Sequence, residues 1–196
     1  FNFLNEISAT NNDISYVDVA EGNDITELNV SNNQIPSLPT QKLGKLRNLN
    51  CSNNYVEELY GNHLKELSYL DCSTNMLTEL ILDQTVVKEV DCSNNKLSVF
   101  KLPNRKDLLE KLSANNCFGD DVNFRELSLA DNMGLTELKI PTHDRLKSVV
   151  ARNCNLEGTF SFYPGLRTTD IYPLIETIDM SNNPNLKVLV NSQYFG

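Results

Sequence analysis

The chain reads as an α/β solenoid: a right-handed superhelical arc with a concave parallel β-sheet and a convex side of turns and short helical or extended pieces. Three observations lead there. An apolar pair recurs at Leu28/Val30, Leu49/Cys51, Leu70/Cys72 and Val90/Cys92, at steps of 21, 21 and 20 residues. Within each pair the spacing is two, the period of a strand whose alternate side chains share one face. Three residues after each pair stands an asparagine, Asn33, Asn54, Asn75 or Asn95.

The elements follow in chain order. Residues 1–13, with Phe1, Phe3, Leu4 and Ile7, are expected to cap the N-terminal end, because a solenoid exposes its core at both ends unless covered. Val17-Asp-Val19 reads as a degenerate first copy, with Gly22 where the asparagine belongs. The four strong copies align without gaps over residues 28–35, 49–56, 70–77 and 90–97. Each has an apolar residue three positions before it (Ile25, Leu46, Leu67, Val87) and another three positions after it (Leu38, Leu59, Leu80, Phe100). About eight repeats over 14–190 make a single domain of residues 1–196.

The second half is looser. Leu112-Ser-Ala114 and Val149-Val-Ala151 carry Cys117 and Cys154 in the asparagine place; Leu127-Ser-Leu129 and Ile178-Asp-Met180 return to Asn132 and Asn183. The step from Leu112 to Leu127 is 15 residues, too short for a coil. Either Leu127–Leu129 or Leu138–Ile140 therefore belongs to the convex return. Phe160-Ser-Phe162-Tyr-Pro-Gly165 is expected to bulge as a loop from one rim. Residues 191–196 make a thin end: either Tyr194 and Phe195 fold over the last coil, or the array continues.

This spacing resembles the L-x-x-L-x-L-x-x-N/C-x-L pattern of the leucine-rich-repeat family. The Asp-Cys-Ser wording after Leu70 and Val90, and less closely after Leu49, is similar to repeats of cell-surface proteins of Bacteroidetes-type bacteria. The resemblance implies a secreted or surface-exposed bacterial protein. It also implies a non-catalytic scaffold for protein–protein interaction or adhesion through the concave face. A carbohydrate-binding accessory module and the recognition arm of a larger multidomain enzyme are the alternatives.

Charge narrows the partners. Asp plus Glu is 26 and Lys plus Arg 17, a net charge of −9 without a basic run. Nucleic acids and anionic membranes need a positive surface to release counterions, so neither is an expected partner. A protein, on a host or other surface, or a glycan is expected. No apolar run approaches the roughly 18 residues of a membrane span, so membrane insertion of this segment is not expected. The chain begins at Phe1, which reads as a mature or trimmed form whose signal or anchor lies elsewhere.

The five cysteines suggest a metal, disulfides or a nucleophile, yet each has an apolar or asparagine equivalent in another repeat. Cys51, Cys72 and Cys92 stand where Val30 and Leu129 stand, as small buried hydrophobes. Adjacent strands about 4.8 Å apart do not exclude a Cys51–Cys72 disulfide by distance, but side-by-side orientation disfavours it. Reduced, unreactive thiols are expected. His63 and His143 fall in return segments outside any catalytic or metal motif. No catalytic residue, cofactor or metal is therefore expected.

What remains is a surface. The residues flanking each inward apolar side chain form outward columns, polar and mildly acidic at the middle. The expected ligand-binding residues there are Asn48, Asn50, Tyr69, Asp71, Glu89, Asp91 and Lys111, with Tyr69 as the aromatic anchor. The carboxylates raise calcium as an alternative, but flat columns do not converge as its oxygen ligands must. The bland reading is that Asp, Asn and Ser recur because the turn needs them. At the C-terminal end, Tyr194→Ala with Phe195→Ala is expected to lower the melting temperature; an unchanged midpoint rejects the cap.

Overall fold

The computed structural model describes residues 4–103, 108–114, 126–130, 132, 135–139, 148–162 and 177–191. It is a solenoid of short parallel strands. Seven of them form the main sheet: β1 (Glu6–Ser8), β2 (Glu27–Asn29), β3 (Asn48–Asn50), β5 (Tyr69–Asp71), β7 (Glu89–Asp91), β9 (Lys111–Ser113) and β11 (Glu137–Lys139). The central residues stay in register along all seven, from Ile7 through Leu28, Leu49, Leu70, Val90 and Leu112 to Leu138. Leu28 to Leu112 are almost wholly buried, and the next inward positions, Val30, Cys51, Cys72 and Cys92, are buried with them. Each such side chain contributes roughly 1.5–3 kcal/mol, but only because its neighbours above and below cover it.

The first strand is β1, not Val17–Val19. The segment expected as a cap supplies a full strand, with Ile7 set 21 residues before Leu28. Val17 and Val19 pack against the core from the return side, half-buried.

The described residues hold almost no helix to support the α of the expected α/β solenoid. Their only helical pieces are two 3₁₀ turns, Thr40–Lys42 and Gly61–His63, in keeping with returns of short helical or extended pieces. Extended chain takes the space instead: β4 (Glu58–Tyr60), β6 (Glu79–Ile81) and β8 (Val99–Lys101) pair in parallel through Leu59, Leu80 and Phe100. Gly61 is needed where coils approach most closely. A Cβ there would meet the Ile81 carbonyl oxygen at 2.5 Å.

The turn after each main-sheet strand is held by the asparagines. Asn54 Nδ2 donates to Cys51 O at 3.1 Å in its own coil and to Val30 O at 3.0 Å in the coil before. Its Oδ1 accepts from the Ile35 N–H at 2.9 Å. Asn33, Asn75 and Asn95 repeat the arrangement on Ala9 O, Cys51 O and Cys72 O, with Ile14, Val56 and Leu77 as donors. The residue before each is left-handed: Asn32, Asn53 and Asn94 have φ of 58°, 54° and 56°. Thr74 occupies the same place at φ 54°, a conformation that asparagine tolerates and a β-branched residue does not.

Beyond β9 the solenoid changes sheets. The main sheet continues into Glu137–Lys139, whereas β10 (Glu126–Ser128) opens a separate parallel sheet with β12 (Ser148–Val150) and β14 (Thr177–Asp179). The ladder persists there: the Cys154 thiol donates to Leu129 O at 3.2 Å, and Asn183 Nδ2 donates to Ala151 O at 2.8 Å. Phe160-Ser-Phe162, expected in a loop, belongs instead to β13 (Gly158–Phe162), paired with β15 (Leu186–Asn191). Its alternation of small polar and aromatic residues suits a strand. Tyr163–Gly165, Cys117, His143, Tyr194 and Phe195 lie outside the described residues.

Two substitutions test this account. Asn54→Ala strands the Ile35 N–H inside the core and takes one of two amide donors from Val30 O and from Cys51 O, and urea melts are expected to show a loss of about 2 kcal/mol. Thr74→Asn relieves the backbone strain of a β-branched residue at positive φ and is expected to gain about 1 kcal/mol. A neutral result for Asn54→Ala would show that the ladder does not carry the fold.

Candidate binding face

Each main-sheet strand is three residues long with its middle residue inward, so its two flanking residues leave from the opposite, open face. Strand stacking turns these into two columns. One runs Glu6, Glu27, Asn48, Tyr69, Glu89, Lys111; the other runs Ser8, Asn29, Asn50, Asp71, Asp91, Ser113. All seven expected residues stand on these columns, on the neighbouring strands β3, β5, β7 and β9. The columns do not run on as one face through Ser128, Val150 and Asp179, because those residues belong to the β10–β12–β14 sheet.

The face is not flat. At the β1 end lies a depression of about 410 Å³, floored by Ile7 and Leu28 and walled by Glu6, Ser8, Glu27, Asn29, Asn48, Asn50 and Tyr69. It gathers three of the expected residues, Asn48, Asn50 and Tyr69. Asp71, Glu89, Asp91 and Lys111 continue the same columns beyond its lining. Glu6 and Ser8 were missed because β1 was taken for a cap. The signal was present in Ile7-Ser-Ala9-Thr-Asn-Asn12-Asp-Ile14, which repeats residues 28–35 one period earlier.

The columns differ in chemistry. In the second, one side-chain oxygen is committed to the turn. Asn50 Oδ1 accepts from the Ser52 N–H at 3.0 Å and its hydroxyl at 2.7 Å; Asp71 does the same for Ser73 at 3.1 and 2.7 Å. Asn29 and Ser31 repeat it, and Asp91 holds the Ser93 N–H at 2.9 Å. These are turn-forming bonds of the kind that favours Asx residues. In the first column no such duty exists. Lys111 Nζ lies 3.1 Å from Glu89 Oε1 on the neighbouring strand, and that hydrogen bond raises the Lys111 pKa.

Tyr69 is the aromatic of this face, 39 % exposed. Burial of its inner part raises its hydroxyl pKa first, and the carboxylates of Asp71, Glu89 and Asp91 add to the shift. It stays neutral, a donor and an acceptor on an apolar ring.

Behind the face stand the thiols of Cys51, Cys72 and Cys92, one per coil and fully buried. Burial first, then the Asp71 carboxylate, pushes the Cys51 thiol from 9.0 up to about 12, and burial also raises Cys72. Such thiols are poor nucleophiles and poor ligands. Among the described residues no group of three or more His, Cys, Asp or Glu side chains gathers as a metal-binding set. Nor is any helix long and apolar enough to cross a membrane.

The fold is similar to that of the functional domain of InlJ from Listeria monocytogenes, which includes a cysteine ladder. The TM-score is 0.60 at 23 % sequence identity, over 97 % of this chain and 45 % of that one. The likeness establishes a leucine-rich-repeat-like solenoid, and the chain spans less than half the length of that neighbour. No protein-family model and no curated protein matches the chain.

The raised thiol has a pH signature. Below about pH 9 the folded and unfolded chains are both protonated and the Cys51 contribution is complete. Above it the unfolded thiol ionises first, so stability falls as pH climbs toward 12. The loss is about 1 kcal/mol by pH 10. Melts between pH 7 and 10.5 are expected to flatten in Cys51→Val, which copies the Val30 position. Native protein is expected to resist iodoacetamide at Cys51, Cys72 and Cys92 until denatured.

Proposed function

We propose that this chain is a non-catalytic binding scaffold that holds a protein partner on the open, concave face of its main sheet. The single observation that carries this reading is the depression of about 410 Å³ on that face, within the roughly 300–1,000 Å³ of ligand sites. Buried Leu28 and partly buried Ile7 floor it, and a half-exposed tyrosine stands in its wall, the residue type enriched at interface anchors. The thiols behind it are too buried, and those of Cys51 and Cys72 also too basic, to act as nucleophiles, which favours recognition over chemistry. The proposed setting is the outside of a bacterial cell, where the protein serves adhesion or protein–protein interaction.

The test compares retention of surface-extract proteins by wild type, by Tyr69→Ala with Asn48→Ala in the depression, and by Tyr69→Ala with Asp91→Ala. Tyr55→Ala, exposed but away from the lining, is the control. The expected result is a partner retained by wild type and Tyr55→Ala and lost, by tenfold or more, in both Tyr69 double variants. A partner that survives both moves the site off this face. A glycan array run in parallel separates the carbohydrate-binding alternative: selective glycan retention lost with Tyr69 would replace the protein partner.

A further inference from the structure

Glu6 and Glu27 lie opposite each other in register on β1 and β2, inside the lining of the depression. Like charges so placed repel. Elsewhere on the solenoid several charges in neighbouring coils are matched: Glu89 with Lys111 at 3.1 Å in the same column, Arg47 with Glu66 at 3.1 Å, Lys42 with Asp18 at 2.7 Å. Two other in-register pairs are acidic on acidic, but Asp71 and Asp91 each hold a turn N–H and Glu58, opposite Glu79, accepts from the Tyr60 hydroxyl. Among the described residues neither Glu6 nor Glu27 has an ion-pair or side-chain hydrogen-bond partner. Among the described residues no Lys, Arg or His lines the depression. This depression thus holds an in-register pair of carboxylates that no described side chain neutralises.

From this charge complementarity we infer that the depression takes a basic peptide segment of the partner, with one arginine or lysine side chain seated between Glu6 and Glu27. The inference rests on the binding-scaffold reading and names the partner's chemistry. A guanidinium spans two carboxylates well, because its five donors form a planar fork. The amides of Asn48 and Asn50 lie next along the columns, with Nδ2 groups able to donate to peptide carbonyls. Tyr69 stands two and a half strands from the midpoint of Glu6 and Glu27, roughly 12 Å at about 4.8 Å per strand. An extended peptide covers that distance in about four residues at about 3.3 Å each, and residues four apart leave from the same face. The segment recognised is therefore a basic residue followed or preceded, four positions away, by an apolar or aromatic one that packs on Tyr69.

The experiment uses an array of twelve-residue peptides in which one Arg is present, moved or replaced by norleucine, with an aromatic residue two, three or four positions away. The best binder is then labelled for fluorescence anisotropy. Binding is expected to require the Arg, to be strongest at a spacing of four, and to weaken at least tenfold in Glu6→Gln with Glu27→Gln. Relieved of repulsion, that double variant is expected to melt no lower than wild type, so loss of binding is not loss of fold. Spermine, which offers ammonium groups without a backbone, is expected to compete at least tenfold more weakly than the peptide. Binding that ignores the Arg, persists in the double variant or is displaced equally by spermine overturns the inference. If a partner from surface extracts still depends on Tyr69 while no basic peptide binds, the scaffold reading stands and this one falls.

Discussion

A strand of three residues cannot satisfy its own backbone, and the chain leaving it carries carbonyls and an N–H into the interior. The ladder asparagine answers that need with two donors and a carbonyl acceptor on a short, stiff stem. Because its Nδ2 reaches the coil before as well as its own, each asparagine is a cross-link between coils. That requirement fixes the stagger of adjacent turns, and with it the register that buries Leu28, Leu49, Leu70 and Val90 in one row. The cores and the ladder are one cooperative unit. Neither half survives a shift of one residue, which would turn every leucine to solvent.

Much of this was legible because the constraint is local and repeats. The paired apolar positions, the asparagine three residues on and the place of the buried cysteines follow from period and spacing alone. The convex returns, expected as turns with short helical or extended pieces, carry two 3₁₀ turns and the strands β4, β6 and β8 among the described residues, too little helix for an α/β label. In the first of these returns Pro36 and Pro39 break any longer helix before Thr40–Lys42.

Two other features escaped for a different reason: the sequence offers rival solutions of equal local quality. Ile7/Ala9 and Val17/Val19 both have the spacing of an inward pair, and the second is the more apolar. The structure selects the first because it lies 21 residues before Leu28 and so reaches register. Leu127/Leu129 and Leu138/Ile140 pose the same choice. There Leu138 lies in the main sheet and Leu127 in the first strand of another, while Ile140 lies outside the described residues. Register is a property of neighbours, and a single coil read alone does not contain it.

The candidate site was legible as a face and not as a place, and the two columns explain why. The second column, Ser8, Asn29, Asn50, Asp71, Asp91 and Ser113, is nearly uniform, and from Asn29 to Asp91 one side-chain oxygen of each residue holds the turn beneath it. Its acidity is a by-product of folding. The first column, Glu6, Glu27, Asn48, Tyr69, Glu89 and Lys111, is under no such obligation, and it varies in charge, size and aromaticity from strand to strand. In a repeat protein, positions that the fold demands must look alike from coil to coil, so positions that differ are those at which the fold is indifferent. Specificity has to be written in the indifferent column. Of the seven residues expected at the site, Asn48, Tyr69, Glu89 and Lys111 therefore stand where the fold is indifferent and are the ones we propose to meet a partner, whereas Asn50, Asp71 and Asp91 first hold the turn.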